Sequence, residues 1–124
     1  MEPHKIHKKN GLTHLLFAIK YAFDGLKVLA TETAFLHEVL FFIISLVMFA
    51  LKGASFVHYF NISLLWFLLL AAEAFNTAIE LIVDHISPQI SDFAKKAKDL
   101  GSFAVFCLIC INLLFVGCVL TGLI

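Results

Sequence analysis

The chain has 124 residues, of which 61% are hydrophobic, and its mean hydropathy is +0.97. A soluble domain would be nearer 45–50% apolar, as a rough average, so a soluble globular protein is excluded. The net charge is zero, which decides little by itself; no nucleic-acid partner is expected. The length suits a single all-α membrane-embedded domain over residues 1–124.

The chain opens on a short basic tail with Lys5, Lys8 and Lys9. His4 and His7 belong to that tail rather than to a metal-binding tract. The first long apolar run starts far in, behind an amphipathic stretch, so no signal peptide is expected. Over residues 12–30, Lys20, Asp24, Lys27 and Thr31 recur at helical spacing on one side, and Leu15, Leu16, Ile19, Phe23 and Leu26 occupy the other. This reads as an amphipathic helix lying in the membrane interface.

Three spans follow, over about residues 33–51, 61–84 and 100–124. The first is short, and His37 and Glu38 weaken its opening turns. Thr31 is expected to cap it, with Glu32 at the positive helix end. The other two are near the roughly 20 residues that a ~30 Å hydrocarbon core requires. Ser87-Pro88 should end the second span, and Ser91 or Asp92 should start the next helix. Trp66 and most of the 14 Phe are read as packing or lipid-facing bulk. Cys107, Cys110 and Cys118 read as small hydrophobes, since no second ligand pair accompanies them.

All nine basic residues are Lys, and their distribution sets the orientation. Eight lie before the first span or between the second and third, and only Lys52 lies elsewhere. The positive-inside rule then puts the N-terminus in the cytoplasm and the C-terminus outside.

The middle span carries Glu73-x-x-Asn76-x-x-x-Glu80-x-x-x-Asp84. Carboxylates inside an apolar helix are costly and usually functional. Steps of three, four and four keep these side chains within an arc of roughly 80°, one stripe on one helix face. Glu73 lies roughly 16 Å deeper than Asp84 at 1.5 Å per residue. Glu32 and Glu38 at the start of span one, and Lys98 and Asp99 before span three, fall on the same membrane side.

Several carboxylates beside a Lys suit phosphoryl transfer from ATP. Mg²⁺ takes one or two carboxylates plus phosphate oxygens, and a Lys neutralises phosphate charge. No Walker A or kinase Gly-rich loop is present. Acidic stripes also serve cation or proton transport, so the pattern alone leaves both readings open. Lys98 discriminates, because a cation path has no use for it. Asn76 could hydrogen-bond a neighbouring helix, Asp84 could cap the helix boundary, and Glu38 could serve packing. Lys95 and Lys96 read as a headgroup-facing pair.

Glu73-Ala-Phe-Asn-Thr-Ala-Ile-Glu80-Leu-Ile-Val-Asp84, followed by Ala97-Lys98-Asp99-Leu-Gly101-Ser102, resembles the signature of the small prokaryotic diacylglycerol kinases, a family that includes undecaprenol kinases. Glu32-x-Ala34-Phe35-x-x-Glu38 is similar to its motif at the start of span one. The resemblance runs from about Gly11 to Val105. It implies a homotrimer of the bacterial cytoplasmic (inner) membrane, with three spans and a surface helix per chain.

The resemblance also implies roles. Glu73 matches the catalytic base, and Glu32 and Glu80 match carboxylates holding the metal, Mg²⁺, on the ATP phosphates. Lys98, Asp99 and Tyr21 match nucleotide-binding residues, and Asn76 matches an active-site amide. Ser102 is expected beside Glu73 and Asn76 on the lipid side, where Gly101 and Ser102 let the third helix approach. His14 stands where the family often has Arg, and is expected at the nucleotide. Asp24 replaces a common Lys, and one residue is missing between Gly25 and Glu32. The loop Pro88-Gln89-Ile90-Ser91 lacks the family's frequent Glu or His. Diacylglycerol is the first expectation for the substrate, giving phosphatidic acid, since Lys98-Asp99-Leu-Gly-Ser looks closer to that branch. Undecaprenol is the alternative within this chemistry, and a small oligomeric cation or proton transporter is the alternative outside it.

Overall fold

The computed structural model describes residues 11–89 and 91–124. The basic tail and Ile90 of the loop before α4 therefore lie outside the described residues. Among the described residues four helices follow one another: α1 (Gly11–Leu29), α2 (Thr33–Lys52), α3 (Phe56–Ile86) and α4 (Asp92–Thr121). The last three are long and apolar enough to cross a membrane.

These helices outrun the apolar spans read from the sequence. α3 begins at Phe56 rather than near Asn61, and α4 begins at Asp92, eight residues before Leu100. Backbone hydrogen bonding does not stop where hydrocarbon stops. A 30-residue helix such as α4 reaches roughly 45 Å, so its polar first turns can stand in water.

The helix ends follow local chemistry. Ser91 caps α4, its hydroxyl accepting from the Ala94 N–H at 3.1 Å. The cap of α2 corrects the sequence expectation. Glu32, not Thr31, holds the N-cap position with extended backbone, and its carboxylate makes no capping hydrogen bond. Thr31 instead donates its hydroxyl to the Val28 carbonyl at 2.7 Å, closing the end of α1. Gly53 ends α2 with φ of 72°, a left-handed conformation that glycine tolerates. Lys52 donates to the Leu120 carbonyl at 2.6 Å, placing its charge at the negative end of α4.

α3 packs chiefly on α4, less on α2, and only lightly on α1. One apolar cluster, formed by Phe49, Ile62, Val116 and Val119, ties α2, α3 and α4 together at the end where α2 turns into α3. Trp66 donates its Nε1–H to the Glu38 carbonyl at 3.0 Å and stacks on Phe42 with ring centroids 4.4 Å apart. Leu29 is the buried residue of α1, and Leu15, Leu16, Ile19, Phe23 and Leu26 are exposed on the single chain. Lys20 and Lys27 are also exposed, with Lys27 3.6 Å from Asp24.

Candidate active site

α3 carries the stripe of acid and amide, and its packing against α4 decides which of those side chains are enclosed. Glu73 is 6% exposed and Asn76 is buried beside it. Glu80, one turn on, is half-buried, and Asp84 is exposed. The stripe therefore runs from the helix packing out to the surface. Asn76 Nδ2 donates to Glu80 Oε1 at 3.4 Å, an i,i+4 contact that steadies the carboxylate.

Glu32 and Glu80 both lie within Coulombic reach of Glu73, and Glu38 lies within reach of Glu73 as well. Four carboxylates from α2, its N-cap and α3 thus share one region. Uncompensated like charges in a poorly solvated site are unfavourable, so such a cluster calls for cations. Glu32 and Glu80 have the right donors for a hard divalent cation, and the Glu32 carboxylate is free of capping duty. Among the described residues, no group of three or more His, Cys, Asp or Glu is spaced to cage a metal unaided.

The helix ends supply positive charge. Lys98 of α4 forms an ion pair with Asp84 of α3, joining the two helices. Asp99 pairs with Lys95 one turn back, and Lys96 pairs with Asp92 at 2.7 Å. Lys95 and Lys96 are exposed, but each is matched to a carboxylate of its own helix. Asp84 thus meets Lys98 rather than capping α3, whose last turn is closed by the Ser87 N–H bonding to the Val83 carbonyl at 2.7 Å. Beside the Asp84–Lys98 pair lies a polar cleft of about 160 Å³ that includes Ser87, Gln89 and Ser91.

Gly101 fixes how closely α4 approaches. A Cβ at this position would overlap Asn76 Oδ1. That oxygen is buried and has no hydrogen-bond partner among the described residues. Ser102, the next residue, points to an exposed position. His14 and Tyr21 are exposed on α1, and Tyr21 has its ring centroid 6.2 Å from that of Phe17. Within one chain, then, Glu32, Glu38, Glu73, Asn76 and Glu80 converge, while His14, Tyr21, Asp99 and Ser102 stay on the surface.

Asn112 is a buried polar residue that sequence reading passed over. It is 1% exposed in the middle of α4, and donates from Nδ2 to the carbonyls of Leu65 at 3.2 Å and Leu108 at 2.8 Å. The signal was present: an amide inside an apolar run is as conspicuous as a buried acid.

The chain matches the family model described as prokaryotic diacylglycerol kinase over residues 20–120. It is 47% identical over 107 residues to a protein of Sinorhizobium sp. named diacylglycerol kinase, covering 86% of this chain and 78% of that relative. A diacylglycerol kinase of Haemophilus influenzae is 35% identical over 107 residues, covering 86% and 91% respectively. One of Escherichia coli K12 is 28% identical over 96 residues, covering 77% and 79%.

The contact between Gly101 and Asn76 yields a prediction. Gly101→Ala should lower the stability of the protein in detergent by about 1–3 kcal/mol, the usual size of an overpacking change. Asn76→Ala removes the opposing oxygen, so the double variant should recover most of that loss in a double-mutant cycle. Strictly additive losses in equilibrium unfolding would show that the two helices do not meet here.

Proposed function

The chain belongs to the prokaryotic diacylglycerol kinase family and is a lipid kinase, and we propose that it transfers the γ-phosphoryl group of ATP to diacylglycerol, giving phosphatidic acid. The observation that carries this reading is the burial of Glu73 within reach of Glu32 and Glu80. The names of the relatives support diacylglycerol over undecaprenol. The ion-transport alternative has no support in the family relationship.

Glu73 lies where a lipid hydroxyl entering from the bilayer meets phosphates arriving from water. Its carboxylate accepts the hydroxyl proton. The lipid oxygen bonds to the γ-phosphorus, the bond from that phosphorus to the β–γ bridging oxygen breaks, and ADP leaves. Glu32 and Glu80 are the residues that would hold Mg²⁺, which offsets the phosphate charge when bound. Asn76 orients Glu80 and lies one turn from Glu73. Lys98 and Asp99 serve the nucleotide at the polar end of α4. Lys98 then exchanges Asp84 for phosphate, so Asp84 keeps the ammonium in place between turnovers. Tyr21 and His14 of α1 approach the nucleotide, and Ser102 the lipid, once chains assemble.

The fold proposed is one catalytic domain over residues 1–124, with α1 lying on the membrane surface and three chains forming a homotrimer. The exposed apolar residues of α1 and the partial collection of site residues in one chain support both. The eight-to-one Lys distribution supports a cytoplasmic N-terminus in the bacterial inner membrane.

Four outcomes are expected. Glu73→Gln keeps the shape but loses the base, so turnover should fall by on the order of 10²-fold or more while ATP binding stays near parental. Glu80→Gln should instead raise the Mg²⁺ concentration needed for nucleotide binding. Near-parental turnover of Glu73→Gln on diacylglycerol would remove that residue from the chemistry. A topology reporter at Gln89 should read cytoplasmic and one after Ile124 external; the reverse would place the acids away from ATP. Finally, mixing Glu73→Gln chains with Glu32→Gln chains should restore part of the activity if sites are shared between protomers, and none if each chain is complete.

A further inference from the structure

A groove of about 660 Å³ runs between α1 and α3. Gly25 and Leu26 belong to one wall, and Phe67, Ala74 and Leu81 to the other. Among the described residues that line it, Thr77 is the single polar side chain. A hydroxyl in an apolar helix often turns back onto its own backbone. Ser45, Ser63 and Thr121 do so, each donating to the carbonyl four residues before it at 2.7–2.8 Å. Thr77 is 6% exposed and makes no side-chain hydrogen bond among the described residues. An enclosed donor therefore borders a groove otherwise lined by hydrocarbon, where an unmade hydrogen bond is costly.

The groove lies beside the reacting centre. Thr77 follows Glu73 by one helical turn, so their Cβ atoms stand roughly 5–6 Å apart. From Thr77 to Phe67 the groove extends roughly 15 Å along α3, at 1.5 Å per residue. We propose that this groove takes one acyl chain of the acceptor lipid and that the Thr77 hydroxyl donates to the ester carbonyl of that chain. This rests on the acceptor hydroxyl meeting Glu73. In a 1,2-diacylglycerol the free hydroxyl and the nearer ester sit on adjacent carbons, a separation that one helical turn matches. The hydrocarbon beyond the ester then meets only apolar walls. Thr77 in this way selects acyl esters as a class. A polyprenol has no carbonyl and leaves the hydroxyl unmatched, and a dialkylglycerol offers only ether oxygens.

The full chain is placed in vesicles of ether-linked phosphatidylcholine, so that the host lipid brings no ester. With Mg-ATP, kcat/KM is measured for 1,2-dioleoylglycerol and for its ether counterpart, 1,2-di-O-oleylglycerol. The parent should favour the ester by about three- to tenfold, the worth of one hydrogen bond. Thr77→Val keeps the shape and removes the donor, so it should abolish that preference by lowering the ester alone. Thr77→Ser should keep the preference. If the Val variant does not assemble, Thr77→Ala is read in its place. A second readout needs no ATP. Dioleoylglycerol carrying ¹³C at the ester carbonyl next to the free hydroxyl should gain a saturable hydrogen-bonded carbonyl band in the infrared with the parent protein, and none with Thr77→Val. No ester preference in the parent overturns the proposal. An equal fall on both lipids in Thr77→Val also overturns it, and assigns the hydroxyl to packing by α1 or by a second chain. Phosphoryl transfer to neither lipid would remove the acceptor reading. The infrared band then decides the groove by itself, its loss in Thr77→Val supporting the site and its absence or persistence excluding it.

Discussion

A carboxylate placed in the apolar part of a membrane helix costs about 3 kcal/mol on insertion scales, and this chain encloses two, Glu38 and Glu73. Their mutual proximity adds repulsion. The cost is bearable only with compensating groups from other helices or from ligands. Much of the structure around them reads as a response. Trp66 ties α3 to the backbone of Glu38. Asn76 contacts Glu80. The α3 stripe rises out of the packing until Asp84 meets Lys98 near the surface. The charge left uncompensated is negative and lies around Glu73, where a metal-bound nucleotide phosphate would be favoured.

The α3–α4 interface sets the geometry of that region. Gly101 removes the one side chain that would keep Asn76 at a distance. Eleven residues further along α4, and eleven back along α3, Asn112 donates to the Leu65 carbonyl. The two antiparallel helices thus meet at two depths, by a close Gly101–Asn76 approach and by the Asn112 hydrogen bond, with buried Leu69 and Val105 in the stretch between. A pair of helices held in this way resists the sliding that would separate Glu73 and Glu80 of α3 from the Lys98 end of α4. Lysines 95 and 98 are each already paired with an acid. On the proposed nucleotide role of Lys98, binding at this end would be an exchange of partners rather than the filling of a bare positive site.

Much of this was readable from the residues alone, for a physical reason. Glu73, Asn76, Glu80 and Asp84 stand out because hydrocarbon surrounds them, and helical spacing is enough to put them on one face. The three apolar helices were legible by the same contrast. Their ends were not, because polar residues such as Asp92 and Lys96 continue a helix as readily as they end one once the chain has left the hydrocarbon. Thr31 does not take the capping position expected of it, because capping depends on where α1 stops, and the Val28 and Leu29 carbonyls accept the Thr31 and Glu32 N–H groups there. The Asp84–Lys98 pair and the Asn112 contacts join residues far apart in sequence. Only the packing of α3 on α4 creates them. The surface positions of Tyr21, His14 and Ser102 follow from viewing one chain, and their proposed roles depend on neighbours the sequence does not specify.

On the function proposed here, Glu73 takes the proton of a membrane lipid hydroxyl as that oxygen attacks the γ-phosphorus of ATP, with Glu32 and Glu80 beside the phosphates. The most direct measurement supplies the purified protein, in vesicles, with γ-labelled ATP, Mg²⁺ and an equimolar mixture of diacylglycerol and undecaprenol, and separates the extracted lipids. The account predicts label in phosphatidic acid. Label confined to undecaprenyl phosphate would contradict the substrate, and no labelled lipid would contradict the chemistry.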